Sequence, residues 1–514
     1  MTWLAAAAST RTPAAIAAAR RGQVRSTACR AAASSRPARA TQHHSTSGNG
    51  SKSGNGRQTL LISHVNTAVT PPAATTISGT QTASQAPARS APGRGGLRRG
   101  ARGGRAGGAV SVRWLAVCVP LIALAAGGVT AVLTWLVDNV WRPFPDVLPF
   151  PVVLWSWVAL AGLALALARL LLLRTWPRRA AAMAAGVLVL AAAANQVNGC
   201  FQAYPSLRVA LAPWLDPKPV LTGTGTVTEV AAGPGRAVQG IWHRPRGMPT
   251  AGAVYQVIIP GVRSGFAARP GYVYLPPAYL ATPRPELAVL VLLAGQPGDP
   301  RAWLDSGQVQ AMMDGFARRH DGLAPVVVMP DDLGGEFANP LCLNSRLGQV
   351  QTYLTVDVPD WVTSHLQVRP PGRGWAVGGF SEGGTCAIQL STQAPGLYRF
   401  FVDISGQAGP TLGSRQRTIG RAFGGDAAAF ARVDPVAVLA RTRFPGTAGV
   451  FVGGADDRVY TPQQQVVYLA ARHAGMDVTF MELPGGHDWR VWRGGLEHTL
   501  AWLAGRLGIT GRAR

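Results

Sequence analysis

Three kinds of hydrophobic pattern follow one another along the chain. The first 110 or so residues have few large apolar side chains and no helical or strand period. Then Trp114–Val137 runs for 24 residues without a charge, enough for the roughly 20 that a bilayer core requires. Pro151–Ala168, continuing through Arg169 into Leu170–Leu173, is a second such run. Ala180–Ala194, followed by the polar but uncharged Asn195–Asn198, is a third and weaker one. The pattern predicts transmembrane helices at about 114–137, 151–173 and 180–197, within a membrane segment spanning 111–200.

From 218 to 514 short apolar runs alternate with amphipathic ones, as in a parallel sheet wrapped by helices on both faces. The domain opens β-rich: Thr224–Val230, Gly252–Pro260 and Gly271–Leu275 read as antiparallel edge strands. After Pro283 the prediction is strand Leu287–Leu293, helix Gly307–His320, strand Pro325–Met329, helix Tyr353–His365 and strand Trp375–Val377. A helix over Gly383–Gln393 and strand Arg399–Ile404 come next, then a helical stretch over Ala427–Ala440. Strand Ala448–Val452, helix Pro462–His473, strand Val478–Leu483 and a helix over Trp492–Leu507 complete the series.

Charge refines this picture. Of the formal +25, residues 1–113 carry +16, from fifteen Arg and one Lys with no Asp or Glu. A segment so poor in large apolar groups cannot offset its chain entropy by burial, so 1–110 is expected to be a disordered basic arm. Arg94, Arg98, Arg99, Arg102 and Arg105, interleaved with glycine, suit anionic lipid or nucleic acid, but they also fit a solvated tail that sets membrane orientation. The orientation reading is preferred, and no nucleic-acid partner is expected. Arg174, Arg178 and Arg179 between the second and third runs, with the arm, place these basic segments in the cytoplasm. Three crossings then leave the C-terminal domain extracytoplasmic; two would leave it inside. Trp141, Trp155 and Trp157 near the span ends suit interfacial anchoring or packing between spans.

The chemistry centres on Gly379-Phe380-Ser381-Glu382-Gly383, between an apolar strand and a helical run. That context lifts a serine oxygen clear of a parallel sheet. A serine hydroxyl is a poor nucleophile until an imidazole takes its proton. Of the domain's histidines only His487 lies on a Gly-rich turn after the last strand, at the edge where open α/β sheets build their sites. The acid is expected just after the preceding strand, where Asp456 and Asp457 both qualify and Asp457 is favoured. Oxyanion donors are expected at the backbone N–H of Glu382 and of Gln296, the latter in Ala294-Gly295-Gln296-Pro297-Gly298. Cys342 and Cys386 are either a disulfide beside the elbow or two buried thiols, and no metal-type cysteine spacing occurs.

Together with Ile259-Pro260-Gly261, Val273-Tyr274-Leu275-Pro276-Pro277, Asn339-Pro340-Leu341-Cys342 and Gly378–Cys386, these residues resemble the esterase D-type α/β-hydrolases. That group includes mycolyltransferases, feruloyl esterases and enterochelin esterases, and the likeness is greatest to membrane-anchored esterases of actinobacteria. The resemblance implies an α/β-hydrolase fold with Ser381 as nucleophile, His487 as base, Asp457 as acid and Gln296 as oxyanion donor. Two departures from mycolyltransferases stand out: Ala294 replaces an aspartate that helps bind sugar, and the acid candidates are aspartates rather than glutamate. The expected activity is hydrolysis of carboxylic esters without metal or organic cofactor. Acyl transfer to a sugar or glycolipid hydroxyl is the alternative, and an idle membrane scaffold the remote one. An envelope lipid or acylated glycan is the expected substrate.

Overall fold

A computed structural model of the protein describes residues 106–511, apart from Pro145, Pro234 and Gly235. Most of the predicted basic arm therefore lies outside the described residues. Helices α1 (Ala106–Trp135), α2 (Phe150–Leu172) and α3 (Trp176–Phe201) are the three that are long and apolar enough to cross a membrane. A π-helical turn, Leu136–Trp141, continues α1.

Small residues let the helices approach. A Cβ on Gly162 of α2 would lie 2.4 Å from Val189 of α3, and one on Gly186 would lie 2.9 Å from Ala166. Trp157 donates its indole N–H to the Ala123 carbonyl of α1 at 2.9 Å, so it packs between spans rather than anchoring an interface. The third helix is longer than expected because Pro177 suits its first turn and Asn195–Asn198 stay helical. The Asn198 side chain then closes the exit, accepting from Tyr204 N at 2.8 Å and donating to its carbonyl at 2.9 Å.

The C-terminal domain is built on an eight-stranded sheet. Its strands are β1 (Ala253–Val257), β2 (Gly271–Leu275), β3 (Val289–Leu293), β4 (Val326–Met329), β5 (Gly372–Phe380), β6 (Tyr398–Ile404), β7 (Ala448–Gly454) and β8 (Asp477–Leu483). Across the sheet they run β1-β2-β4-β3-β5-β6-β7-β8, parallel from β4 to β8, with β2 antiparallel to both its neighbours. This is the strand order of an α/β-hydrolase. The helices between strands are α4 (Val309–Arg318), α5 (Val358–His365), α6 (Glu382–Gln393) and α7 (Tyr460–His473), with α8 (Trp489–Arg506) closing the domain. Helix α6 packs on β5 and β6, α7 on β7 and β8, and α8 crosses β6, β7 and β8. Strands β3 and β4 are buried at every position, which explains why their sequences are unbroken apolar runs.

The opening β region differs in part from expectation. Ala253–Val257 and Gly271–Leu275 do form an antiparallel edge. Of Thr224–Val230, only Glu229–Val230 is a strand, and it pairs in parallel with Arg284–Pro285 outside the main sheet. The Arg284 guanidinium organises that segment, bonding the carbonyls of Thr224 and Gly225 and the Gln367 side chain. The Ala427–Ala440 stretch is two helices, Ala427–Val433 and Pro435–Arg441, because Asp434 precedes a proline and turns extended.

One buried acid lies beneath the middle of the sheet's working edge. Asp403 Oδ1 accepts from Gly406 N at 2.9 Å and Gln464 Nε2 at 2.8 Å, whereas Oδ2 is buried without a protein partner. Burial pushes this carboxyl up to about 7, against the two hydrogen bonds that lower it. The folded protein thus holds a proton that the unfolded chain has released above its ordinary value. Stability from this group is complete at low pH and is lost as pH rises toward 7, by about 1.4 kcal/mol per unit. Asp403→Asn should flatten that stretch of a thermal-stability profile measured from pH 5 to 8.

Candidate active site

Four of the residues singled out from the sequence fall on loops at the carboxyl ends of parallel strands. Ser381 follows β5, Asp457 follows β7, His487 follows β8 and Gln296 follows β3. The turn after β5 is tight. Ser381 has φ 55° and ψ −118°, a backbone that side-chain-bearing residues rarely adopt. A Cβ on Gly379 would sit 2.3 Å from the Gly383 backbone, and one on Gly383 would sit 2.4 Å from the Ala294 carbonyl oxygen. The two glycines are what allow α6 to start against β3 and β5.

The three loops meet. His487 Nε2 lies 2.9 Å from Ser381 Oγ, and His487 Nδ1 lies 3.0 Å from Asp457 Oδ2. The other oxygen of Asp457 accepts from Val459 N at 3.1 Å and Tyr460 N at 2.9 Å, fixing the carboxylate. Asp456 is exposed, and its backbone N–H donates to the Gly485 carbonyl at 2.8 Å. It therefore joins the two loops, while Asp457 faces the imidazole. Gly454 permits the approach, since a Cβ there would lie 2.6 Å from the carbonyls of Gly485 and Gly486. Tyr460 stacks on His487 at 3.9 Å between centroids, and Trp492 meets its edge at 5.0 Å. Neither contact was visible in the sequence, where Trp492 read as an ordinary helix position and Tyr460 fell before the expected helix.

Glu382 is the first residue of α6, so its backbone N–H has no partner inside the helix. Among the described residues Gln296 N has no hydrogen-bond acceptor either. The loop that carries it is held by Arg269, whose guanidinium donates to the Gly298 carbonyl at 3.0 Å while gripping Asp331. The Gln296 side chain points elsewhere, donating to the carbonyls of Pro143 and Phe337.

Residues 267–503 match the esterase family, described as "Putative esterase". An uncharacterized protein of Corynebacterium glutamicum is 35% identical over 399 residues, covering 74% of this chain and 88% of that protein. The chain belongs to the esterase family. Two solved structures are similar to about half of this chain at low identity. One is a ferulic acid esterase (17% identical, 50% of this chain and 97% of that one, TM-score 0.43). The other is an S-formylglutathione hydrolase from Agrobacterium tumefaciens (18% identical, 50% and 97%, TM-score 0.43). This esterase is an enzyme of the hydrolase and acyltransferase kind.

Behind the elbow the esterase buries a further group of polar atoms. Cys342 and Cys386 are joined as a disulfide. Cys386 Sγ lies 3.2 Å from Glu382 Oε1. Asp332, on the loop after β4, accepts from Ala294 N at 3.3 Å. Burial, with Asp332 alongside, pushes the Glu382 carboxyl well above the ordinary carboxylate range, and burial with Asp331 nearby raises Asp332. A protonated Glu382 donates toward the sulfur, whereas a carboxylate would face its lone pairs. Among the described residues these side chains are the one grouping close enough to hold a metal, with ligand atoms within 4.8 Å. The disulfide leaves no thiolate to bind one, so the set fits proton sharing better than a cation. The sequence signal for Asp332 was an acidic pair directly after a buried strand. Gly383→Ala should destabilise the domain by about 1–3 kcal/mol or more, because the obstacle is backbone that cannot swing away; a thermal melt of the full chain reads it.

Proposed function

We propose that this esterase uses Ser381 as nucleophile, His487 as base and Asp457 as the acid that orients it. The observation that carries the reading is the single imidazole bridging hydroxyl and carboxylate, at 2.9 and 3.0 Å. Ser381 Oγ attacks the ester carbonyl carbon while His487 Nε2 takes the hydroxyl proton. The negative oxygen of the tetrahedral intermediate is met by the backbone N–H groups of Glu382 and Gln296. Collapse expels the alcohol, which leaves with the proton from Nε2, and an acyl-Ser381 remains. Water, deprotonated by the same nitrogen, then attacks the acyl carbon, and as the acyl bond to Ser381 Oγ breaks the proton passes from Nε2 to Oγ, freeing the acid. An acceptor hydroxyl in place of that water turns hydrolysis into acyl transfer through the same intermediate. Tyr460, flat against the imidazole, restricts its rotation.

The domain is proposed to face the extracytoplasmic side, with the substrate an ester of an envelope lipid or acylated glycan. Two features support the orientation. Arg174, between α2 and α3, and Arg178 and Arg179, at the start of α3, lie at the end of the bundle that positive charge marks as cytoplasmic. The Cys342–Cys386 disulfide belongs in an oxidising compartment. Protease added to intact spheroplasts should then digest the domain while sparing a cytoplasmic marker; full protection would place it inside.

Ser381→Ala should abolish fluorophosphonate labelling and lower turnover of p-nitrophenyl butyrate by roughly 10⁶-fold. Unchanged turnover would remove Ser381 from the mechanism. Asp457→Asn should cost about 10⁴-fold in kcat through the wrong imidazole tautomer, and Asp456→Asn much less. The reverse order would assign the acid to Asp456.

A further inference from the structure

We propose that residues 142–144 and 146–149, in the loop joining α1 to α2, form a wall of the reaction site, and that the substrate is an ester kept in the bilayer by its own acyl chain. The inference rests on the esterase reading above and names the substrate class that reading leaves open.

The loop is far from the site in sequence but touches it directly. Gln296, whose backbone N–H is the proposed oxyanion donor, gives its side-chain amide to the Pro143 carbonyl at 2.7 Å. The same amide reaches the Phe337 carbonyl at 3.2 Å, so one side chain ties the membrane hairpin to the lip of the site. Phe144 meets the Phe337 ring edge-on at 6.0 Å, making an aromatic pair at that lip. Asp146 lies close enough to the catalytic loops to feel both His487 and Asp457. Its carboxyl is raised first by burial, with His487 opposing the rise and Asp457 adding to it.

The outer end of the helix bundle is fixed to the same face at a second point. Arg493 of α8, next to Trp492, donates to the Ser306 carbonyl at 3.0 Å and to the carbonyl of Gln202, which caps α3, at 3.3 Å. A linker that served only as a tether would have no reason to dock on the oxyanion loop. Trp141, just before the loop, is 61% exposed at the end of a candidate span, where indole rings settle at headgroup depth. The ester carbonyl would therefore react within a side chain's reach of the headgroups, with its hydrocarbon still in the membrane. A freely soluble ester gains nothing from such a mouth; a lipid ester avoids leaving the bilayer.

The test uses the full chain in phosphatidylcholine vesicles with two probes, 4-methylumbelliferyl butyrate from solution and 4-methylumbelliferyl oleate held in the vesicle. The readout is the ratio of kcat/KM for oleate to that for butyrate. Phe144→Ala and Asp146→Ala should each lower the ratio, Phe144→Ala by at least about tenfold. An unchanged ratio in both variants overturns the proposal, even while fluorophosphonate labelling upholds the esterase reading. A contact measurement stands apart from turnover: Phe144→Cys with Phe337→Cys, the other unpaired cysteines replaced by serine, should cross-link through a short bis-maleimide in membranes. No cross-link overturns the wall. Cross-linking without turnover or labelling of the parent rejects the esterase reading and the substrate class with it, and leaves the contact supported.

Discussion

The site depends on a backbone approach that has no room for a methyl group. Gly383 lies against the carbonyls of Leu293 and Ala294, and Gly379 lies against Gly383 itself. With both contacts made, α6 can begin directly at the end of β5, and the residue between them is forced to positive φ. That residue is Ser381. The strain raises its oxygen above the sheet and leaves the first N–H groups of α6 without helical partners, so the proposed nucleophile and oxyanion donor come from one turn. Burial of α6 along nearly its whole length supplies the packing that sustains such a backbone.

Around that turn the protein buries carboxyl groups whose desolvation favours the protonated form. Asp332 and Glu382 lie behind it, and Asp403 lies under the start of α6, where a Cβ on Gly384 would come within 2.7 Å of its Oδ1. Full burial of an ionised carboxylate carries a desolvation cost that here exceeds the opposing hydrogen bonds and, for Asp332, the nearby Arg269 charge. Asp457 is the contrast. Two backbone N–H groups and the imidazole surround its carboxyl oxygens.

Much of the strand and helix order was legible because its signals are local. Buried strands such as Val326–Met329 are short apolar runs, and the elbow glycines sit at fixed offsets from the serine. The loops bearing Ser381, Asp457 and His487 were readable for the same reason, each following a recognisable strand. What escaped was set by distance along the chain. Nothing near Thr224 announces that Arg284 and Gln367 will take its segment out of the main sheet. Nor does Pro143 signal a partner at Gln296, 153 positions away. The choice between Asp456 and Asp457 also needed geometry, because neighbouring residues on a turn point in opposite directions.

The disulfide closes a segment of 44 residues between the loop after β4 and the helix that carries the serine. Cross-linking a segment of that length removes about 4 kcal/mol of freedom from the unfolded chain, a large share of a domain's net stability. A newly made chain lacks this clamp until its thiols meet an oxidant. With the domain outside, as proposed, maturation would be tied to its export, and the copy still being synthesised would be the weaker one.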